Sequence, residues 1–210
     1  MKCCPVDIPA RKFYNASMSS DFALKEESEK TYTYADYKQW ELAPGERYEL
    51  IDGVAYAMSA PNTRHQEILV ELLKQIAVYL TGKPCKVYPA PFDVRLFYRE
   101  DEKDTTVVQP DISIICDKEK RGYEGCRGAP DFVAEILSPS NSVAEMERKL
   151  QVYREAGVRE YWILDPERKS LHAIDFKNGE PAHRFYSETD SAPVQIFDDL
   201  FIALGAVFAE

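Results

Sequence analysis

Two apolar runs in the middle of the chain limit the folds that it can adopt. Residues 107–116 and 131–137 are rich in Val, Ile, Leu and Phe, with few polar interruptions. Strands that are apolar on both faces belong to a sheet that is covered on both sides. The two runs therefore predict a central sheet with helices packed against it.

Two segments carry the signals of helices that could cover such a sheet. Over residues 63–80, apolar side chains recur at helical spacing, and Thr63 and Gln66 have the spacing of a capping box. A second helix is predicted after Ser142, which has Glu145 three residues further on. Together with the strands, these helices predict a mixed α/β domain with one sheet.

Tight turns predict a hairpin near each end of this domain. Asp52-Gly53 and Asn178-Gly179 each separate two β-prone runs, which is typical of a two-residue hairpin turn. A short helix is predicted before the first hairpin, over residues 33–42, because Thr33 and Asp36 have capping-box spacing. The fold class is therefore α/β of the mixed α+β kind, with an added N-terminal hairpin and a C-terminal hairpin.

The charge balance excludes a protein that binds nucleic acid by bulk electrostatics. The 210-residue chain has 26 Lys and Arg against 36 Asp and Glu, which gives a formal net charge of −10. Neutralising phosphates requires Lys and Arg, so any contact with DNA must come from a local basic rim. The candidates for that rim are Arg64, Arg95, Arg127 and Lys149.

Cysteine content and hydropathy indicate the compartment. The five cysteines include no CxxC pair, so neither a disulfide framework nor a structural zinc site is indicated. We expect Cys85, Cys116 and Cys126 to be small apolar residues in or near strands. No apolar run reaches the roughly 18–20 residues of a membrane span, so we expect no membrane partner and a cytoplasmic location. Residues 1–30 predict a mobile arm, and 31–210 predict one domain.

Two acidic residues interrupt the apolar strands. Asp111 lies within the first run, and Glu135 lies within the second. A buried carboxylate is costly unless it is paired or binds a metal, and two of them on successive strands could converge. Convergent carboxylates suit Mg²⁺, which can activate water and stabilise charge on a phosphate. The alternative is that each acid is exposed at a strand end or paired with Arg or Lys.

Lys149 is the candidate cation for the same site. The helix after Ser142 places Glu145, Lys149 and Tyr153 on one stripe. Because the helix begins directly after the strand that carries Glu135, its first turns could reach that acid. The alternative is an ordinary surface ion pair between Glu145 and Lys149.

Three further residues are candidates for the site. Glu49 lies amid apolar residues before the Asp52-Gly53 turn, and is either an extra ligand or an outward-facing residue. His65 and Glu67 lie in the first turn of the helix over 63–80. An acid there is favoured by the helix dipole alone, and a histidine there is more often a cap or a packing residue than a catalyst.

The order of several short motifs resembles a known family. Pro110-Asp111 followed by Glu135-Ile136-Leu137 is similar to the PD-(D/E)XK nuclease pattern, with its last Lys missing. More specifically, the chain resembles the Uma family of restriction-endonuclease-like proteins over roughly residues 30–200. The matching stretches are Tyr48-Glu-Leu-Ile-Asp-Gly53, Pro91-Phe-Asp-Val-Arg-Leu96, Gln109-Pro-Asp-Ile112, Val133-Ala-Glu-Ile-Leu-Ser-Pro-Ser140, Lys149 with Tyr153, and Ala156-Gly-Val-Arg-Glu-Tyr-Trp-Ile-Leu-Asp-Pro166.

The resemblance implies a restriction-endonuclease-like fold, in which a central mixed sheet flanked by helices presents Asp111 and Glu135 on neighbouring strands. It also implies a Mg²⁺ ion, for which Mn²⁺ could substitute. We expect the ligands to be Asp111, Glu135 and the main-chain carbonyl of Ile136. Asp93 and Gln109 lie within matching stretches and are weaker candidates for the site.

The chain departs from the general nuclease pattern at the strand Lys. Residue 137, on the same face as Glu135, is Leu137. In Uma-like sequences a helix Lys, here Lys149, is the candidate replacement. Residue 145 is usually Asp in the family pattern, and Glu145 is kept here as a supporting residue or a helix cap.

These observations lead to one main hypothesis and two alternatives. The main one is a Mg²⁺-dependent DNA endonuclease that leaves 5′-phosphate and 3′-hydroxyl ends and works as a homodimer, by analogy with restriction-type enzymes. Its catalytic residues would be Asp111, Glu135, Lys149 and Glu49. The first alternative is a non-catalytic module that binds nucleic acid or protein, which the missing strand Lys favours. The second is hydrolysis of a different phosphate or acyl substrate.

Overall fold

A computed structural model describes residues 31–139, 141–177 and 180–209. The arm predicted over residues 1–30 and the turn at Asn178-Gly179 lie outside the described residues. Within them, residues 31–60 and 99–107 form one compact unit, and residues 61–98 and 108–209 form another. That residues 31–210 make a single domain stays a prediction.

The first unit is built on the N-terminal hairpin. Strands β1 (Arg47–Ile51) and β2 (Val54–Met58) pair antiparallel. They are joined by Asp52 and Gly53 with φ of 51° and 79°, the left-handed conformation that a two-residue hairpin turn requires. Helix α1 (Tyr34–Tyr37) has the predicted capping box but ends after four residues, short of the range 33–42 expected from sequence. Val107, at the start of β5 (Val107–Val108), pairs with Leu50 of β1.

The second unit contains a six-stranded mixed sheet. Its strands are β3 (Lys86–Pro89), β6 (Ile112–Ile115), β8 (Phe132–Ile136), β9 (Glu160–Asp165), β10 (Ser170–Asp175) and β11 (Ala182–Ser187). They lie side by side in the order β11-β10-β9-β8-β6-β3. Only β8 and β9 are parallel neighbours, and the other pairs are antiparallel. Two further strand pairs lie in this unit, β4 (Val94–Arg95) with β7 (Cys126–Arg127) and β12 (Ser191–Pro193) with β13 (Phe201–Ala203). Because β12 and β13 form a sheet of their own, the prediction of a single sheet was wrong.

Helices cover both faces of the six-stranded sheet. Helix α2 (Thr63–Tyr79) buries its apolar stripe with Phe132, Ala134 and Ile136 of β8, together with the short α4 (Leu204–Val207). Helix α3 (Val143–Ala156) connects β8 to β9 and contacts Glu135, which alternation places on the opposite face. Every residue of β6 and β8 is buried, as the apolar runs predicted. No helix in the described part of the chain is long and apolar enough to cross a membrane.

The caps of the two long helices were predicted with unequal success. Ser142 accepts a hydrogen bond from the Glu145 N–H at 3.1 Å, which confirms the cap of α3. The cap of α2 is Asn62, whose Oδ1 accepts the His65 N–H at 2.9 Å, so the capping box at Thr63 and Gln66 was wrong. Both assignments were compatible with the sequence, because Asn and Thr are adjacent here and both cap helices well.

The expectation that Cys85 and Cys116 are reduced apolar residues was wrong, because they form a disulfide. Cys85 precedes β3 and Cys116 follows β6, and Lys86 is paired with Ile115 in the register of these strands. The bond therefore joins the edge strand to its neighbour. Cys126 is a buried free thiol, and burial raises its pKa to about 12. A disulfide is uncommon in a reducing compartment, so a cytoplasmic location stays a prediction.

A buried acid at the start of β9 makes stability depend on pH. Glu160 is 1% exposed, and it accepts hydrogen bonds from Trp162 Nε1 at 2.6 Å and from the Ile196 N–H at 3.1 Å. Burial raises the pKa of this carboxyl from 4.5 to about 7, although both hydrogen bonds act to lower it, and the charge of Asp175 adds to the rise. The folded protein therefore holds this proton more tightly than the unfolded chain does.

We expect the free energy of unfolding to fall as the pH rises from 4.5 through about 7. At about 1.4 kcal/mol per pKa unit, the loss is on the order of 3 kcal/mol. Urea unfolding across this range should show the loss in the wild type and in Glu119→Gln, whose side chain is exposed. Glu160→Gln should lack it. A decline of equal size in Glu160→Gln would assign the pH dependence to other groups.

Candidate active site

Asp111 lies directly before β6, at the end of the sheet. Its Oδ2 accepts two hydrogen bonds, from the Ile136 N–H at 2.8 Å and from His65 Nε2 at 3.1 Å. The side chain is 15% exposed. The Ile136 N–H belongs to the peptide bond between Glu135 and Ile136, so the Asp111 carboxylate lies beside that peptide bond. The acids of the two apolar runs are thus brought to one end of neighbouring strands.

Glu135 is held by two donors from α3. Its Oε1 accepts hydrogen bonds from Lys149 Nζ at 2.9 Å and from Tyr153 Oη at 2.7 Å. Glu135 is 8% exposed and Lys149 is 4% exposed, so this is a buried ion pair rather than a surface pair with Glu145. Lys149 and Tyr153 are one turn apart on the same stripe, which explains how one helix delivers both donors to one oxygen.

The buried pair is electrostatically demanding. Two charges taken out of water lose several kcal/mol of solvation each, and their mutual attraction offsets this only with good geometry and further hydrogen bonds. The Tyr153 hydroxyl supplies such a bond to Glu135. This arrangement fixes a carboxylate and an ammonium group at one place, next to the peptide that Asp111 contacts.

The weaker candidates have other partners. Glu145 accepts a hydrogen bond from Asn141 Nδ2 at 2.8 Å, beside the cap of α3. Gln109 Nε2 donates to Asp93 Oδ1 at 2.8 Å, so these two lie together. Glu67 is exposed and forms an ion pair with Arg64 at 3.4 Å.

Glu49 belongs to the first unit. It is 3% exposed and lies on β1 opposite Tyr56 of β2. Burial excludes the alternative that Glu49 simply faces outward. Its role as an extra ligand of the site stays a prediction.

The basic rim predicted from sequence is smaller than expected. Lys149 and Arg95 are buried, at 4% and 8% exposure. Arg64 donates hydrogen bonds to the carbonyls of Phe208 and Ala209, both at 2.6 Å. Arg127 is exposed, next to Arg95 on the β4–β7 pair, and both guanidinium groups lie over the ring of Tyr98.

Tyr153 was not assigned to the site from the sequence, although it was placed on the stripe of Lys149. The signal that could have found it is the spacing of four residues, which places the Lys149 and Tyr153 side chains next to each other on the helix surface. The hydrogen bond between His65 and Asp111 had no signal of this kind, because 46 positions separate the two residues.

The donor set fits a hard cation that keeps part of its water shell. Within the described ranges, no group of three or more His, Cys, Asp or Glu side chains is arranged to hold a metal ion, so water and main-chain oxygens would have to complete the coordination. Asp111 and Glu135 offer carboxylate oxygens. In an extended strand the N–H and C=O of one residue face the same neighbour, so the Ile136 carbonyl faces the side on which Asp111 lies. Oxygen ligands few enough to leave places for water suit Mg²⁺.

Comparison with solved structures gives the class of fold. The crystal structure of "a putative nuclease belonging to DUF820" from Anabaena variabilis superposes with a TM-score of 0.68, and the match covers 85% of this chain and 98% of that one. At 17% sequence identity, this likeness shows the fold alone. The predicted restriction-endonuclease-like α/β fold is thereby confirmed.

The family follows from the sequence. Residues 34–205 match the family described as "Uma2: Putative restriction endonuclease", and the chain belongs to that family. An uncharacterized protein of Synechocystis is 26% identical over 129 residues, a match that spans 61% of this chain and 65% of that protein's own length. Restriction-endonuclease-like families are usually metal-dependent.

Proposed function

We propose that this protein is a Mg²⁺-dependent DNA endonuclease that hydrolyses phosphodiester bonds at the site of Asp111, Glu135 and Lys149. The observation that carries the proposal is the buried contact of Lys149 with Glu135, next to the peptide that Asp111 contacts. The membership of a restriction-endonuclease family supports it.

The residues of the site would have distinct roles. Asp111, Glu135 and the Ile136 carbonyl would hold Mg²⁺. The chemistry that Mg²⁺ supplies when bound is polarisation of the scissile phosphate and activation of water. Lys149 would orient the attacking water and stabilise the negative charge that develops on the phosphate. Tyr153 would hold Glu135 in place through its hydrogen bond.

Lys149 would take the place of the lysine that the nuclease pattern has two residues after the strand Glu. A strand Lys at position 137 would lie two residues after Glu135, but that residue is Leu137. The Lys149 ammonium group contacts the Glu135 carboxylate, although it comes from α3 and not from the strand. Helix α3 would therefore supply the ammonium group that β8 lacks.

A second candidate function is a binding module without catalysis. The observation that favours it is the limited exposure of cationic side chains, since three of the four rim candidates are buried or hydrogen-bonded to carbonyls. A module of this kind would bind DNA or protein with no dependence on Asp111. The net charge of −10 favours a protein partner for it.

We also propose that the protein is a homodimer and lies in the cytoplasm. A homodimer would place two such sites on opposite strands of a duplex, and would add a second contact surface to a chain that is acidic overall. A cytoplasmic location would bring the protein to DNA.

The test is a cleavage assay with end-labelled duplex DNA, single-stranded DNA and RNA, in Mg²⁺, Mn²⁺ or chelator. We expect DNA products with 5′-phosphate ends that appear only with a divalent cation and disappear in Glu135→Gln. Glu147→Gln, which changes an exposed acid on α3, is the matched control and should cleave like the wild type. Binding of DNA without cleavage under every condition would favour the non-catalytic module.

A further inference from the structure

We propose that His65 is a positioning residue that makes Asp111 bind its cation through one oxygen, Oδ1, and so gives the site a preference for Mg²⁺ over Ca²⁺. The inference rests on the proposed function, because it assumes that Asp111 is a metal ligand. It adds the residue that selects the ion. The geometry that carries it is the contact between the first turn of α2 and the carboxylate.

The first turn of α2 is held from two sides. The His65 N–H is capped by Asn62 Oδ1 at 2.9 Å. The neighbouring Arg64 donates to the carbonyls of Phe208 and Ala209, both at 2.6 Å, and so joins this turn to the C-terminal segment. His65 is itself 7% exposed. The imidazole therefore has a fixed place from which to act on Asp111.

The contact with Asp111 defines which oxygen is engaged. Nε2 lies 3.1 Å from Asp111 Oδ2, and since a carboxylate can only accept, Nε2 carries the proton and donates. The Ile136 N–H donates to the same oxygen at 2.8 Å. No partner of Asp111 Oδ1 occurs among the residues that the structure describes. One oxygen is thus occupied by two donors, and the other is left to face a cation.

The second ring nitrogen of His65 makes no hydrogen bond within the described residues, so the contact of Nε2 with Asp111 must be what favours a histidine over an apolar residue at this position. Nδ1 is buried and has no hydrogen-bond partner in the described part of the structure. A buried polar atom without a partner costs free energy, and a leucine would fill similar space without that cost. The polar contact that sets histidine apart from leucine here is the donation from Nε2 to Asp111.

Engaging one oxygen affects which ion can bind. Ca²⁺ takes six to eight oxygen ligands and often binds both oxygens of a carboxylate, whereas Mg²⁺ requires a near-ideal octahedron. For Asp111 to bind Ca²⁺ with both oxygens, Oδ2 would have to give up or weaken its hydrogen bonds to His65 and Ile136. The two donors therefore disfavour Ca²⁺ and leave Mg²⁺ binding intact. Residues that orient metal ligands in this way change metal affinity by roughly 10- to 100-fold when they are removed.

The experiment measures ion preference without activity. Mn²⁺ binding is followed by electron paramagnetic resonance, and Mg²⁺ and Ca²⁺ are each titrated against it in the wild type, His65→Leu and His65→Gln. We expect the ratio of Mg²⁺ to Ca²⁺ affinity to fall roughly 10-fold or more in His65→Leu. His65→Gln should recover most of the ratio, because its amide nitrogen lies near the position of Nε2. Thermal unfolding checks that both variants are folded.

The outcomes separate this proposal from the proposed function. If Mn²⁺ binds but the ratio is the same in His65→Leu as in the wild type, His65 does not select the ion, and the metal site stands without it. A ratio that falls equally in His65→Gln and His65→Leu would also overturn the proposal, since the donor would then be irrelevant. If Mn²⁺ does not bind the wild type, or binds Asp111→Ala equally well, the proposed function fails and this proposal fails with it.

Discussion

Asp111→Asn is expected to lower the rate of Mg²⁺-dependent DNA cleavage by at least ~1,000-fold, or about 4 kcal/mol of transition-state stabilisation. The reason is that the variant loses the negative charge that would hold the cation. The side chain keeps its size and an oxygen that can accept the Ile136 N–H, so the fold should be retained. Initial rates on end-labelled duplex DNA provide the measurement.

The matched control is Asp198→Asn, which changes an exposed aspartate elsewhere in the second unit. It should cleave at the wild-type rate. A rate for Asp111→Asn within about threefold of the wild type, with both proteins folded, would remove Asp111 from the site, because the loss of a catalytic metal ligand produces far larger effects.

Lys149→Met is expected to lower the free energy of unfolding by about 3–5 kcal/mol, because it leaves the Glu135 carboxylate buried without its cation. The double variant Glu135→Gln with Lys149→Met should recover much of this loss, since it removes both charges. Urea unfolding of the wild type, both single variants and the double variant gives the coupling energy between the two side chains.

Lys118→Met serves as the control for this series, because its side chain is 78% exposed. It should change the free energy of unfolding by less than about 0.5 kcal/mol. Strictly additive losses in the double variant would contradict a coupled buried pair. In the assay with Mg²⁺, Lys149→Met should also be inactive, whereas a structural ion pair alone would leave cleavage unaffected in a folded variant.

Local patterns in the sequence were sufficient to predict the two buried strands β6 and β8 and the helix that carries Lys149. The fully buried β6 and β8 follow from their continuous apolar runs, and the start of α3 follows from Ser142 and Glu145. These signals are local because strand burial and helix capping depend on residues a few positions apart. The cap of α2 was missed for a local reason as well, because Asn62 directly precedes Thr63 and Asn is at least as good an N-cap residue as Thr.

Contacts between distant segments could not be read in the same way. Cys85 and Cys116 are 31 positions apart, and they meet because β3 pairs with β6. Nothing in the spacing of the two cysteines predicts that pairing. The hydrogen bond between His65 and Asp111 depends equally on how α2 lies against the end of the sheet. Such contacts are determined by tertiary packing, which a single sequence does not contain as a local pattern.

The candidate site could be predicted from the sequence only in part. The stripe of Lys149 and Tyr153 was visible as a helical spacing, but the spacing could not decide between a surface pair with Glu145 and a contact with Glu135. Burial decides it, because Lys149 is 4% exposed and pairs with Glu135. The negative net charge likewise could not show that Arg95 and Lys149 would be buried. With these two cations buried, fewer side chains can neutralise phosphates, so the DNA contact that the proposed function requires should be weak.

The most direct test of the account is anomalous diffraction from crystals of the protein soaked in Mn²⁺. We expect one strong peak within about 2–2.3 Å of a carboxylate oxygen of Asp111 and of Glu135, with Lys149 still in contact with Glu135. The peak should be absent from crystals of Asp111→Ala. Full occupancy by Mn²⁺ at some other place, with no density between the two carboxylates, would contradict the assignment of these residues as the catalytic metal site.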